Sequence, residues 1–259
     1  MPTACRISGT SAIHQGDRAH QQDQVALLSH PRLAGCILAV VADGMGGRSG
    51  GRAAADQVLM TARQLFAGYA PPQDSGATLL QNLATQAHTV IRLTAISSEQ
   101  EPHSTLAAFV LNPDGQCHWV HAGDSRVYHF RNGVLVYRTR DHSYVQKLVD
   151  RGELPEAQAA EHPDSHILTC CLGAAQPLVL GTHYLPNVQP GDVLLACSDG
   201  LWHYFTDVEL ARVLHQLPPR EASEFLTAKA RSRAAGHGDN LSLAVVKIEA
   251  APAPVGLGS

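Results

Sequence analysis

The stretch Leu106-Ala-Ala-Phe-Val-Leu-Asn-Pro-Asp-Gly-Gln-Cys-His-Trp-Val-His-Ala-Gly-Asp-Ser-Arg-Val-Tyr-His-Phe-Arg-Asn-Gly-Val-Leu-Val-Tyr137 decides the fold. Four short runs suited to strands, Leu106 to Leu111, Gln116 to His121, Arg126 to Phe130 and Val134 to Tyr137, follow one another with no room for a helix between them. Asn112-Pro113-Asp114-Gly115 and Arg131-Asn132-Gly133 supply hairpin turns, because Asn and Gly tolerate the positive φ of a tight turn. The implication is an antiparallel meander.

Working outward, further strands are expected at Gln24 to Leu28, Cys36 to Ala42, Val179 to Tyr184, Val193 to Cys197 and Leu241 to Ile248. Two consecutive stretches of helical spacing, Gly51 to Phe66 and Ala77 to Ile96, separate the early strands from the meander. Two more helices are expected at Asp207 to Gln216 and, after Pro218-Pro219, at Arg220 to Ala235. Strands grouped with strands and helices with helices fit a layered α+β domain rather than repeated βαβ units. Residues 1–249 read as one domain and Ala250 to Ser259, rich in Ala, Pro and Gly, as a loose tail. The polar stretch Gly152 to Ile167 reads as a surface flap.

Composition excludes several functions. A net charge of −4 over 259 residues argues against a nucleic-acid partner, whose phosphates call for a basic face. No secretory signal opens the sequence, and the longest apolar run, Cys36 to Ala42, falls far short of the roughly twenty residues of a membrane span. The expectation is a cytoplasmic chain with no membrane partner. Its six cysteines include no C-x-x-C pair and read as small buried hydrophobes.

Acidic side chains carry the functional signal. Asp outnumbers Glu by 14 to 9, and turn chemistry accounts for Asp114 and Asp192, each beside a glycine. Asp43 and Asp199 differ, because each directly follows an apolar strand and precedes a glycine that lets the backbone approach a ligand. Asp239 stands just before the last strand, and Asp23 just before the strand at Gln24. Converging carboxylates repel one another unless a cation lies between them, and hard oxygen ligands select Mg²⁺, Mn²⁺ or Ca²⁺ over zinc. The glycine-rich stretch Gly44 to Gly51 matches neither phosphate-loop spacing, and Asp43 at its head repels phosphate unless metal bridges the two. Arg18 is a candidate for a two-pronged grip on a phosphoryl group. No Cys is followed six positions on by Arg, and no Asp-x-Asp occurs, which excludes cysteine-based and aspartyl-phosphate phosphatases.

Taken in order, Arg18-x-x-Gln-Gln-Asp23, Val41-Ala-Asp-Gly-Met-Gly-Gly47, His121-Ala-Gly-Asp-Ser-Arg126, Thr139-Arg-Asp-His-Ser143, Leu168-Thr-x-x-Leu-Gly173, Leu195-Ala-Cys-Ser-Asp-Gly-Leu201 and Asp239-Asn240 resemble the protein phosphatase 2C family. These are metal-dependent serine/threonine phosphatases, and the likeness is to compact bacterial members, from about Ile7 to Glu249. The resemblance implies a four-layer α-β-β-α sandwich with two central antiparallel sheets. It implies two Mn²⁺ or Mg²⁺ ions bridged by Asp43, the first completed by Asp199 and Asp239 and the second held by the Gly44 carbonyl. Gln22, with Asp23 beside it, would meet the second ion through water, Asp124 with Asp199 would form a third, weaker site, and Arg18 would bind phosphate. The implied reaction is hydrolysis of phosphoserine and phosphothreonine by metal-activated water, by a monomer, with a cognate Ser/Thr kinase and its targets as partners. The flap falls at about Val149 to Ile167.

Three departures stand out: Gln21 replaces the usual Asn, His103-Ser104-Thr105 replaces Gly-Thr-Thr, and Met45 stands where eukaryotic members carry a histidine. His20 and His142 are then the candidate proton donors, with a structural role favoured for each. The alternatives are a catalytically silent phosphoprotein-binding scaffold of the same fold, and a phosphatase of small phosphate esters.

Overall fold

The structure is a computed structural model that describes residues 5–98 and 101–250. The chain opens with strands β1 (Cys5–His14), β2 (Gln24–Ser29) and β3 (Ile37–Ala42), then a short β4 (Gly44–Met45). Helices α1 (Gly47–Gly68) and α2 (Gly76–Ser98) follow, then a short β5 (His103–Ser104). The meander is β6 (Leu106–Leu111), β7 (Cys117–Ala122), β8 (Arg126–Arg131) and β9 (Val134–Arg138). After it come α3 (Tyr144–Asp150), β10 (Gly181–Leu185), β11 (Asp192–Cys197), α4 (Asp199–Trp202), α5 (Asp207–Gln216), α6 (Pro219–Ala234) and β12 (Leu241–Ala250).

The strands form two antiparallel five-stranded sheets, β1-β12-β11-β8-β9 and β10-β7-β6-β3-β2, and β4 pairs with β5. Three apolar cores separate four layers. Strand β3 shows why its sequence is apolar throughout: Leu38, Val40 and Ala42 point into the core under α1 and α2, while Ala39 and Val41 point into the core between the sheets. In β11, Val193, Leu195 and Cys197 face the core under α5 and α6, and Leu194 and Ala196 face the other sheet. With side chains alternating at period two, a strand buried on both faces shows no alternation of polarity. The expected α-β-β-α sandwich is the observed one.

The differences from the sequence expectation have local causes. The sequence reading contains no strand at β1, because Cys-Arg-Ile-Ser-Gly-Thr-Ser-Ala-Ile-His is mostly small and polar and no residue in it is fully buried. Its ten residues are held by pairing along their whole length with β12. Helix α1 begins four residues earlier than expected, at Gly47, despite its glycines. The single turn α4 was hidden behind the strand before it, and α3 was not expected. Strand β10 starts at Gly181 rather than Val179, whose N–H and carbonyl are both engaged by the Cys170 thiol. Asp192 closes a turn, its N–H on the Gln189 carbonyl at 3.0 Å, but it is also the first residue of β11 and fully buried: its carboxylate accepts from His129 Nε2 at 2.9 Å, from Arg131 Nε and Nη2 at 2.6 and 2.9 Å, and from the Gln189 N–H at 2.7 Å. The expected flap contains a 3₁₀ turn at Glu156–Glu161. Of the expected tail, Ala250 ends β12 and residues 251–259 lie outside the described residues.

Candidate metal centre

Five aspartates meet where strands end. Asp43 follows β3, and its backbone is fixed on both sides by Thr105: the Asp43 N–H donates to Thr105 Oγ1 at 3.0 Å and its carbonyl accepts from the Thr105 N–H at 2.8 Å. Thr105 Oγ1 also shares a 2.7 Å hydrogen bond with Ser125 Oγ, beside Asp124 in the β7–β8 turn. The replaced His103-Ser104 pair therefore still delivers Thr105 to Asp43. Asp23 is fully buried, and its Oδ2 accepts from Ser198 Oγ at 2.7 Å and Ser242 Oγ at 2.8 Å. Asp199 opens α4.

Asp239 is set by its neighbour. Asn240 Oδ1 accepts from the Gln22 N–H at 2.7 Å, while Asn240 Nδ2 donates to the carbonyls of Gln15 at 2.8 Å and His20 at 3.0 Å. One amide thus gathers the whole loop that carries Arg18, Gln22 and Asp23. Asp239 Oδ2 accepts from Arg18 Nη2 at 2.5 Å, and its Oδ1 from the Asn240 N–H at 2.7 Å. Gln22 Nε2 donates to the Gly47 carbonyl at 2.6 Å. Gly44 is pressed against α1: a methyl there would stand 2.0 Å from the Gly51 carbonyl oxygen, so no other residue fits.

The electrostatics show that these acids converge. Burial pushes Asp43 and Asp199 well above the usual carboxylate range, and the charges of Asp23, Asp124, Asp239 and of each other push them further. Asp124 is pushed up to about 7, first by burial and then by Asp141. Asp23 rises to about 6, chiefly by burial, against the pull of its two serine hydrogen bonds. Each charge resists ionisation of the others, which is the situation a bound cation relieves.

Two observations bear on whether the residues fit a metal. Asp23 Oδ1 and Asp199 Oδ1 are buried and accept no hydrogen bond, a costly state for a carboxylate oxygen. The donor set is all oxygen, which suits Mg²⁺, Mn²⁺ or Ca²⁺. Among the described residues, no three acidic, His or Cys side chains are already closed around a single ion position. Asp239 is engaged by Arg18 and Asn240 and Asp23 by its serines, so the donors fit a cation once Arg18 releases Asp239.

A cleft of about 510 Å³ opens onto the centre. Arg18, Asp124, Asp199 and Asp239 line it, as do Ser165 and His166 of the expected flap. Gln22, Asp23, Asp43 and Gly44 lie outside this lining. Arg138 ties the flap to the body, pairing with Glu156 of the 3₁₀ turn and, at 3.2 Å, with Asp207 of α5. His142 stacks on His121 with ring centroids 4.5 Å apart, and burial and that neighbour lower it to about 4, which favours the neutral ring over the acidic imidazolium at neutral pH. His20 is exposed. Sequence reasoning missed Ser242, which bears no signal of its own, and it quoted Ser125, Ser198 and Asn240 without a role.

The family described as Protein phosphatase 2C matches residues 8–231. The serine/threonine protein phosphatase PstP of Mycobacterium tuberculosis is 30% identical over 236 residues, which cover 89% of this chain. The chain spans 43% of the length of that relative. Among solved structures, PppA, described as a key regulatory component of T6SS in Pseudomonas aeruginosa, is similar with a TM-score of 0.76 and 33% identity, covering 93% of this chain and 97% of that one. The catalytic domain of PstP in complex with 2 manganese ions is similar with a TM-score of 0.75 and 26% identity, covering 95% and 99%. Matching sequence, sandwich and order of motifs agree: the chain belongs to the protein phosphatase 2C family.

Proposed function

We propose that the chain is a divalent-metal-dependent phosphatase of phosphoserine and phosphothreonine in proteins. The observation that carries this reading is the convergence of Asp124, Asp199 and Asp239 with Arg18 at one cleft, with the buried Asp43 within reach of their charges and two buried carboxylate oxygens, of Asp23 and Asp199, left without a partner. Two Mn²⁺ or Mg²⁺ ions would be held by Asp43, Asp199 and Asp239 and by the Gly44 carbonyl, with Gln22 and Asp23 supporting them. Asp124 and Asp199 would share a third, weaker ion. When bound, such ions activate water and offset charge on the phosphoryl group.

The residues of the chain do the rest. Arg18, exposed at the cleft and held by Asp239, presents a fork of N–H donors to phosphoryl oxygens, where charge grows in the transition state. Thr105 holds the Asp43 backbone on both sides, which fixes where its side chain leaves the end of β3. The flap at about 149–167 closes one side of the cleft and contributes to substrate choice. Similarity to PstP, a serine/threonine protein phosphatase, supports a role opposing a Ser/Thr kinase, and we propose that the chain acts in the cytoplasm as a monomer. Among the described residues no helix is long and apolar enough to cross a membrane.

Phosphate release with Mn²⁺ from phosphothreonine, phosphoserine and phosphotyrosine peptides and from a sugar phosphate tests the substrate class. Higher kcat/KM on the phosphothreonine and phosphoserine peptides is expected. Comparable turnover of the sugar phosphate would contradict the protein-substrate reading, and no turnover of any substrate would favour the silent scaffold.

A further inference from the structure

Asp124 and Asp199 come from separate parts of the chain, the β7–β8 turn and the first residue of α4, and one side chain ties them together. Asp199 and Trp202 stand three positions apart on α4, a spacing that places both on one face of the turn. The Trp202 indole Nε1 donates to the backbone carbonyl of Asp124 itself at 2.9 Å. Arg126, two residues beyond Asp124, lays its guanidinium over the same indole, 3.4 Å from the ring centre. That guanidinium is held in turn by two 2.8 Å bonds to Asp141 and by a 3.2 Å bond to the Tyr128 hydroxyl. The Asp124 loop therefore grips the Trp202 ring on its edge and on its face.

Filling space does not require this arrangement. Trp202 packs against the core under α5 and α6, and phenylalanine would fill much of that volume. The indole N–H, by contrast, needs an acceptor, and the one it has is the peptide of an acidic residue at the metal centre. The stack needs a planar cation, which Arg supplies and Lys does not. The same loop is tied to Asp43 through the Ser125–Thr105 hydrogen bond, and Trp202 ties it to the turn that carries Asp199.

We propose that Trp202, with Arg126 stacked on it, is a positioning residue that sets the Asp124 carboxylate relative to Asp199 so that the two share one divalent cation. The proposal rests on the reading above that Asp124 and Asp199 hold a cation in common. It assigns a function to a contact that touches neither substrate nor ion.

Calorimetric titration of Mn²⁺ into the metal-free full chain tests it, with the wild type, Trp202→Phe, Arg126→Lys and Asp124→Asn compared and the melting temperature of each recorded without metal. Asp124→Asn is expected to abolish the weakest class of Mn²⁺ sites. Trp202→Phe and Arg126→Lys are expected to weaken that class about tenfold, the lower end of what supporting residues contribute to metal affinity, and to leave the tighter sites within about twofold. If Asp124→Asn loses the weak class while Trp202→Phe and Arg126→Lys bind like the wild type, the positioning role is overturned and the shared cation stands. If Asp124→Asn itself binds like the wild type, the shared-cation reading is overturned. Equal weakening of every class in Trp202→Phe, with a lower melting temperature, overturns the proposal in favour of a general structural role.

Discussion

Arg18 and Asp239, both lining the cleft, form an ion pair at 2.5 Å that joins the residue assigned to phosphate with one assigned to metal. Arg18 covers the Asp239 oxygen that a cation would take, so metal binding at Asp239 requires this pair to open, while the rest of the guanidinium stays exposed. Arg18→Ala is expected to lower kcat/KM by about 100-fold, the scale for losing one charged donor to the transition state. The same variant is expected to bind Mn²⁺ at least as tightly as the wild type, because Asp239 is freed. Steady-state kinetics beside a Mn²⁺ titration check both; weaker Mn²⁺ binding in Arg18→Ala would contradict the competition.

The acid cluster makes the metal-free chain sensitive to pH in an unusual direction. Asp23 at about 6 and Asp124 at about 7 hold protons in the folded chain where an unfolded aspartate, near 3.9, has lost them. The folded state then binds more protons than the unfolded one, so stability is full below the unfolded value and is lost as pH rises through 6 and 7. The melting temperature in chelator is expected to be higher at pH 5.5 than at pH 8. Saturating Mn²⁺, which keeps the carboxylates ionised and paired, is expected to flatten that slope. A metal-free melting temperature that rises with pH across this window would be inconsistent with the cluster.

Asp192 carries a different lesson, because it lies away from the acid cluster and its role is stability. Removing its carboxylate in Asp192→Ala strands the buried ring of His129 and breaks two bonds to Arg131. A loss of about 3 kcal/mol is expected by urea unfolding, at the low end for a broken buried pair because Arg131 is partly exposed. A loss below about 1 kcal/mol would show that water replaces the pair without cost.

Gly44→Ala tests the close approach of β4 to α1. The new methyl would collide with the Gly51 carbonyl oxygen, a backbone atom that cannot swing aside. Displacement of the Gly44 peptide is expected to remove one Mn²⁺ per chain in a titration while far-ultraviolet circular dichroism keeps its helical signal. Unchanged stoichiometry would remove Gly44 from the ligand set.

Much of the fold was legible because β3 and β11 are buried on both faces and so announce themselves as apolar runs ending in Asp. Strand β1 was not, since its register comes from β12, more than two hundred residues away, and not from its own polarity. At the site, acids at strand ends could be read directly. The hydroxyls that orient them could not: Ser242 is one serine within a strand, and its bond to Asp23 exists only once the first and last thirds of the chain meet. Trp202 likewise reads as an ordinary core aromatic until its N–H is seen on Asp124.

The central claim is that the converging aspartates hold the ions that drive hydrolysis of a phosphothreonine peptide. Phosphate release by the chelator-treated chain, measured as Mn²⁺ is titrated back, with Asp43→Asn and Asp199→Asn alongside, tests it most directly. The account predicts no release without metal, saturable recovery in the wild type, and at least a 100-fold loss of kcat in both variants, on the scale of removing a charge-stabilising group from an active site. Release that persists in chelator, or that survives in Asp43→Asn and Asp199→Asn, would contradict it.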